Sequence, residues 1–205
     1  MAIPFRTCFE YLADRWTDEL VVTSAGNTGQ MWWDVTKNAE QVFYLDASMS
    51  LSTLFASGIA MGIPERQVWA FMGDGAFCMN PGMLMVERDL NLPNLTHFLV
   101  SNRVYGATSN APLPNQVEND YAAVARSMGL SRVFTFTSLD ELDTGFDAVT
   151  RPNKDGHTFV VLEVEPITGP DVKLEVMPID GPEMKFRFGR YVERTTGKKI
   201  FSDQI

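Results

Sequence analysis

The chain has 205 residues, of which 45% are apolar and 21% are charged, and its formal net charge is −9. This composition predicts one globular domain with a sizeable hydrophobic core. The negative charge argues against nucleic acid or an anionic membrane surface as a partner, because phosphate groups would repel it. No apolar run approaches the roughly 20 residues of a membrane-spanning helix. Without a signal-peptide pattern at its start, and with only two distant cysteines, the chain is expected to be cytoplasmic.

Helical and strand-like hydrophobic patterns alternate along the chain. In chain order they predict a helix at 5–16, a strand at 19–23, a helix at 27–36, a strand at 41–45, a helix at 50–61, a strand at 67–72, a helix at 81–90, a strand at 95–101, a helix at 120–128, a strand at 132–136, a helix at 139–150 and a strand at 158–164. This order predicts an α/β fold, a doubly wound and mostly parallel sheet with helices on both faces.

The composition changes at Pro166, which is the first of four prolines that interrupt the chain, and the last stretch is charged. Prolines break helices and disfavour central strands. We therefore predict one domain over residues 1–165 and an extended tail over residues 166–205, which packs on the domain or on a partner subunit.

Small and polar residues follow several of the predicted strands. Gly73-Asp74-Gly75 ends one buried strand, and Asn102, 28 positions after Asp74, ends the next. Since the carboxyl ends of parallel strands lie at one edge of a sheet, both side chains are expected there. Carboxylate and amide oxygens are ligands that Mg²⁺ takes beside phosphate oxygens. The glycines and the following helix start would let a bulky anion approach the backbone.

The segment from Gly73 to Gly106, GDGAFCMNPGMLMVERDLNLPNLTHFLVSNRVYG, resembles the diphosphate and metal motif of thiamine-diphosphate enzymes. Two upstream stretches, VVTSAG (21–26) and YLDASMS (44–50), resemble other cofactor loops of this family. The resemblance covers most of residues 19–165. In length and layout it is most similar to the β subunits of sulfopyruvate and phosphonopyruvate decarboxylases.

The resemblance implies a set of binding residues. The side chains of Asp74 and Asn102 and the carbonyl of Val104 would bind Mg²⁺, Ala76 would donate its N–H to the diphosphate, and Met49 would support the bent thiamine diphosphate. The whole cofactor-binding set that it implies is Ser24, Ala25, Gly26, Ala47, Ser48, Met49, Gly73, Asp74, Gly75, Ala76, Asn102, Val104, Tyr105 and Gly106.

The resemblance also implies a partner. In this family a glutamate that activates the cofactor normally lies in a separate pyrimidine-binding domain, and the metal motif occupies the one domain predicted here. No catalytic residue is therefore assigned to this chain, and the glutamate is expected from an α chain in an α2β2 assembly. The implied reaction is decarboxylation of a 2-oxo acid to an aldehyde, or transfer of the acyl carbanion.

Three alternatives remain open at this point. The chain could be the β subunit of a 2-oxoacid oxidoreductase, although it has no clustered cysteines for iron–sulfur centres. It could be a carboligase half, although it has no flavin or activation domain. It could also be a non-catalytic scaffold or regulatory subunit with a degenerate site, which the retained Asp74 and Asn102 disfavour.

Other charged residues have more ordinary interpretations. Glu87, Arg88 and Asp89 are predicted to form a solvated or interface face of a helix. His97 lies in the middle of a strand and is predicted to be buried and hydrogen-bonded, whereas His157 lies in a turn that is predicted to be exposed. None of these residues is assigned a function from sequence.

Overall fold

The computed structural model describes residues 2–168 and 174–202. The helices are α1 (Phe5–Arg15), α2 (Asn27–Thr36), α3 (Ser52–Gly62), α4 (Asp74–Met79), α5 (Met83–Leu90), α6 (Tyr121–Ser127), α7 (Leu139–Thr150) and α8 (Gly181–Thr196). The strands are β1 (Leu20–Ser24), β2 (Val42–Leu45), β3 (Val68–Gly73), β4 (Leu95–Ser101), β5 (Val104–Tyr105), β6 (Ala111–Pro112), β7 (Arg132–Phe136) and β8 (Thr158–Glu163).

Six strands form one sheet in the order β2-β1-β3-β4-β8-β7, and every neighbouring pair is parallel. β5 and β6 form a separate antiparallel pair. The central strands β1 and β4 are buried along their whole length, as expected for a parallel sheet that is covered on both sides. The predicted α/β class and doubly wound sheet are confirmed.

Helices cover both faces of the sheet. On one face, α1, α2 and α7 enclose an aromatic core in which Phe71 stacks on Trp32 at 4.8 Å and on Phe98 at 5.0 Å between ring centroids. On the other face, α3 to α6 pack on a second set of apolar side chains. Among the helices of the described residues, none combines the length and the apolar character needed to cross a membrane.

The C-terminal region is not extended along its length, so that part of the prediction is wrong. The 16 residues of α8 form a helix whose N-terminus is capped by Asp180, which accepts a hydrogen bond from Glu183 N. Gly197 ends the helix in the left-handed conformation. The prolines lie before or at the start of α8, where they are compatible with a helix. Residues 169–173 and 203–205 of the predicted tail lie outside the described residues.

The helix α8 covers the edge strand β2. Tyr44 N donates to the sulfur of Met184 at 2.9 Å, and the ring of Phe188 meets that of Phe43 edge-on at 5.5 Å. Met184 belongs to the core on one face of the sheet, whereas Phe188 and Val192 belong to the core on the other. The helix therefore wraps the edge and protects unpaired backbone groups from other chains.

Two predictions about charged residues are also wrong. Glu87 is not on a solvated face but 1% exposed, because it lies on the side of α5 that faces the sheet. His157 was predicted to lie in an exposed turn, but only 2% of it is exposed. It directly precedes the buried start of β8. His97 is fully buried, as predicted.

Replacing Phe188 by alanine should lower the free energy of unfolding by about 3 kcal/mol, since a buried ring is lost from the junction of α8 with the sheet. Urea denaturation of the purified chain measures this change. Phe186→Ala is the matched control, because Phe186 lies on the same helix but is 40% exposed. We expect it to cost about 1 kcal/mol or less; equal effects of the two variants would contradict the packing of α8.

Candidate functional site

A cavity opens at the carboxyl ends of β1, β3 and β4. Eleven of the fourteen residues that the sequence predicts for cofactor binding line it, namely Ala25, Gly26, Met49, Gly73, Asp74, Gly75, Ala76, Asn102, Val104, Tyr105 and Gly106. They come from four separate segments of the chain. The parallel register brings them together, with β3 between β1 and β4.

The other three predicted residues lie close to the cavity but do not line it. Ser24 is buried at the end of β1, and its hydroxyl donates to the carbonyl of Ala25 at 3.1 Å. Ala47 and Ser48 belong to the loop after β2. Of this loop's predicted residues, Met49 lines the cavity and these two do not. Met49 is 40% exposed. A direct cofactor contact of these residues stays a prediction.

Asp74 is the central charged group of the cavity and is 1% exposed. Its Oδ2 accepts hydrogen bonds from Arg103 N at 2.7 Å and from the Ser101 hydroxyl at 3.3 Å, and its Oδ1 accepts one from Gly75 N at 2.9 Å. These donors come from the end of β4 and from the start of α4. They hold the carboxylate in one orientation at the edge of the sheet.

Burial raises the pKa of Asp74 to about 6, although the backbone N–H groups of Arg103 and Gly75 act in the opposite direction. The guanidinium of Arg103 does not neutralise the carboxylate, since it forms an ion pair with Glu163. A buried carboxylate without a close cationic side chain is suited to a metal ion, because an ion supplies the missing positive charge.

Asn102 and Val104 place two further oxygens near this carboxylate. The Asn102 Oδ1 accepts from Val104 N at 3.2 Å, and the Val104 carbonyl accepts from Gly106 N at 3.0 Å. Each oxygen keeps a second lone pair. A carboxylate, a side-chain amide and a backbone carbonyl are the hard oxygen donors that Mg²⁺ takes. The residues present therefore fit the predicted ion.

Two helices begin at the cavity wall. α2 starts after Gly26, which has a φ of +101°, and no side chain in the described part of the chain caps its N-terminus. α4 starts after Gly73, again without a side-chain cap. Helix starts present N–H groups and a positive dipole end, so this wall favours an anion such as a diphosphate.

The loop after β4 approaches α2 so closely that a side chain at Gly106 would have to displace its neighbours. A Cβ at Gly106 would lie 2.4 Å from the Nδ2 of Asn27 and 3.0 Å from that of Asn102. Asn27, with Thr28, Phe5, Val100, Ala107 and Thr108, lines the cavity but was not predicted from sequence. For Asn27 and Thr28 the available signal was their position at a predicted helix start directly after the VVTSAG loop.

Arg103 acts as a positioning residue for this loop. Its backbone is left-handed, with a φ of +64°, and this turn directs its N–H to Asp74. Its guanidinium donates to Glu163 and to the Asn119 carbonyl and lies over the ring of Tyr121, with 5.1 Å to the centroid. The guanidinium is therefore held by other parts of the protein.

Replacing Gly106 by alanine should destabilise the chain by about 1–3 kcal/mol, because the added methyl group displaces Asn27 or the loop. Gly58 provides the control, since a Cβ there meets nothing within 4 Å and the residue lies inside α3. Gly58→Ala should stabilise by about 0.5–1 kcal/mol. Thermal unfolding of both variants measures the difference, and a Gly106→Ala protein as stable as the wild type would contradict the close approach.

Comparison with known proteins identifies a matching family and several relatives. A family model described as the C-terminal TPP binding domain of thiamine pyrophosphate enzymes matches residues 25–164. The chain is 28% identical over 120 residues to the sulfopyruvate decarboxylase subunit beta of Methanococcus maripaludis, covering 58% of this chain and 63% of that subunit. It is 24% identical over 173 residues to a 3D-(3,5/4)-trihydroxycyclohexane-1,2-dione hydrolase of Bacillus licheniformis, covering 75% of this chain and 26% of that enzyme.

Solved structures show the same fold. The benzoylformate decarboxylase of Polynucleobacter necessarius superposes with a TM-score of 0.69 at 19% identity, over 83% of this chain and 34% of that one. The thiamine diphosphate-dependent 4-hydroxybenzoylformate decarboxylase of Rhodococcus jostii RHA1 does so with a TM-score of 0.69 at 16% identity, over 82% and 34%. This chain thus spans less than two thirds of each of these relatives. Because the family model matches well over half of the chain, the chain belongs to the thiamine pyrophosphate enzymes and carries their C-terminal TPP-binding domain.

Proposed function

We propose that this chain is the cofactor-binding subunit of a two-chain thiamine-diphosphate enzyme that acts on a 2-oxo acid. The observation that carries the proposal is the buried carboxylate of Asp74, which lies among oxygen donors and beside two uncapped helix starts. This arrangement would suit one magnesium ion together with a diphosphate group.

In the proposed complex, Asp74, Asn102 and Val104 hold Mg²⁺, and the N–H groups at the starts of α2 and α4, including that of Ala76, hold the diphosphate. Met49, which lines the same cavity, would support the cofactor. When bound, thiamine diphosphate supplies the nucleophilic carbon and the electron sink that decarboxylation of a 2-oxo acid requires. The protein orients the cofactor and excludes water from the reacting end.

The names of the relatives support the substrate class. One is named for sulfopyruvate and another for benzoylformate, and both compounds are 2-oxo acids. We extend this class to the present chain, with loss of carbon dioxide and release of an aldehyde as the proposed outcome. The alternative is acyl transfer to a second carbonyl, which uses the same cofactor chemistry. A product assay distinguishes this transfer from aldehyde release.

The composition of the cavity supports a partner chain. Among its described lining residues, Asp74 is the one carboxylate, and no glutamate reaches the cavity. Asp74 is assigned to the metal, so the proton transfer that activates the cofactor requires an acid from elsewhere. The Methanococcus maripaludis relative is named as a β subunit. We therefore propose an α chain with a pyrimidine-binding domain, in an α2β2 assembly in the cytoplasm.

An exposed apolar surface adjoins the cavity and supports the same proposal. Met49, Leu51 and Phe55 are each at least 40% exposed and run from the cavity rim along α3. Met85 and Val86 on the neighbouring helix α5 are 61% and 46% exposed. Exposed apolar side chains grouped on neighbouring helices are typical of interaction sites. A partner that covers it would also close the open side of the cavity.

The proposal is tested by co-expression with the chain of the neighbouring reading frame, followed by calorimetric titration of thiamine diphosphate with and without Mg²⁺. We expect binding only when both the partner and the metal are present. A screen of 2-oxo acids by carbon dioxide release and aldehyde detection then identifies the substrate. Phe55→Ser should abolish co-purification of the partner, whereas Val117→Ser, at a 92% exposed position away from α3, should not.

Other outcomes contradict parts of the proposal. Tight binding by this chain alone would contradict the need for a partner. Binding of the cofactor with the partner but without release of carbon dioxide from any 2-oxo acid would contradict the reaction class. Failure of the cofactor to bind in every condition would favour a scaffold subunit.

Cofactor affinity in the presence of Mg²⁺ should fall about tenfold per pH unit below pH 6. The reason is that Asp74, with its pKa raised to about 6, must lose its proton to bind the metal. Protonation has the opposite effect on the metal-free fold: a raised carboxyl pKa means that the folded state gains stability as the pH falls from about 6 to about 4. Calorimetry between pH 5 and pH 8 measures the affinity.

Two variants identify the titrating group. Asp74→Asn should abolish metal-dependent binding at every pH. Asp46, whose pKa is also raised by burial, does not line the cavity, so Asp46→Asn should keep the wild-type pH profile. A flat profile in the wild type, or one that changes with Asp46→Asn, would contradict the assignment to Asp74.

A further inference from the structure

A second cluster of metal-binding side chains lies inside the domain, away from the cofactor cavity. Glu87 on α5, His97 on β4 and His157 before β8 point their polar ends toward one another, and all three side chains are fully buried. His97 lies five residues before Asn102, roughly 16 Å along an extended strand. The cluster is therefore separate from the proposed magnesium site and does not depend on the proposed function.

The donor atoms of the three residues converge. One atom from each lies within 4.8 Å of the others. The Glu87 Oε2 lies 3.2 Å from the Nδ1 of His97 and 2.7 Å from the Nε2 of His157. A tetrahedral ion with bonds of about 2.0–2.2 Å needs ligand atoms roughly 3.3 Å apart. Both observed Glu87–His spacings are shorter than that value, so the side chains would move apart slightly to bind such an ion.

Several polar atoms of this cluster have no hydrogen-bond partner among the described residues. The Nε2 of His157 is close to Glu87 but not aligned for a hydrogen bond, and Glu87 Oε1 is buried without a partner among the described residues. The second ring nitrogens, His97 Nε2 and His157 Nδ1, also lack partners there, and an ion held by the first nitrogen of each ring would not contact them. Buried polar atoms without partners are uncommon and call for an explanation such as a bound ion.

The charge of the cluster points to a cation. Glu87 is a carboxylic acid whose side chain is fully buried between two histidines. No lysine or arginine pairs with Glu87 among the described residues. An ionised carboxylate in a fully buried position requires a compensating positive charge. A metal ion between the three side chains provides it.

We propose that Glu87, His97 and His157 form a structural zinc site. Two imidazole nitrogens and a carboxylate are ligands of zinc, whereas Mg²⁺ and Ca²⁺ prefer all-oxygen sites. The free Glu87 Oε1 supplies a fourth donor if the carboxylate binds through both oxygens. The ion would join α5, which follows the Asp74 segment, to β4 and β8. Complete burial implies that it is incorporated during folding and exchanges slowly.

The test uses the full chain, without an affinity tag, expressed in minimal medium supplemented with Zn²⁺ or Co²⁺. Metal content is measured by mass spectrometry, and the Co²⁺ protein is examined for the intense visible d–d absorption of tetrahedral coordination. We expect about one ion per chain in the wild type. Asp74→Asn should retain this content, which separates the cluster from the cofactor site.

Glu87→Gln keeps the shape of the side chain but removes its charge and should lower the metal content tenfold or more. His157→Asn, which removes one ligand, should do the same. Circular dichroism and gel filtration establish that each variant is folded. If neither variant folds, the wild-type metal content and Co²⁺ spectrum decide the question.

Less than about a tenth of an ion per wild-type chain in both media would overturn the proposal, and the cluster would then hold a proton rather than a metal. The same conclusion would follow if folded Glu87→Gln retained the wild-type content. Loss of the ion in Asp74→Asn but not in Glu87→Gln would instead assign the metal to the cofactor cavity.

Discussion

The parallel pairing of β3 with β4 is the constraint on which the candidate site depends. Gly73 lies opposite Val100 in this register, so that the residues following the two strands meet at one edge. Asp74 then accepts hydrogen bonds from both Ser101 and Arg103. A shift of one residue would turn alternate side chains to the wrong face of the sheet and separate these groups. The site is therefore a property of strand register more than of any single loop.

Within this frame, charge is distributed in a way that favours ligand binding over stability of the free chain. Asp74 is buried without a cationic side chain, and the nearby guanidinium of Arg103 is paired with Glu163 instead. The uncapped starts of α2 and α4 add positive potential at the same wall. A fold that buries a carboxylate in this way is less stable when its ligand is absent, as is common at functional sites.

The C-terminal helix shows how a compositional argument can mislead. Prolines and charges predicted an extended tail, yet Asp180, Pro182 and Gly197 are typical start and stop signals of a helix. Met184, Phe188 and Val192 recur at intervals of four and form one apolar face. The helix is amphipathic because only that face meets the sheet edge at β2. These signals are local, and the four-residue spacing of the apolar residues over this segment predicts a helix.

Sequence alone predicted most of the alternation of helices and strands and most of the loops that line the cavity, because hydrophobic period and turn residues are local signals. It did not predict α4, which adds a second helix between Asp74 and Asn102. It did not determine the contribution of Asn27 to the cavity, nor the burial of Glu87 against His97 and His157. Those facts depend on which segments lie side by side after folding. Glu87 and His157 are 70 positions apart in the chain. They meet only because α5 packs on β4 and β8.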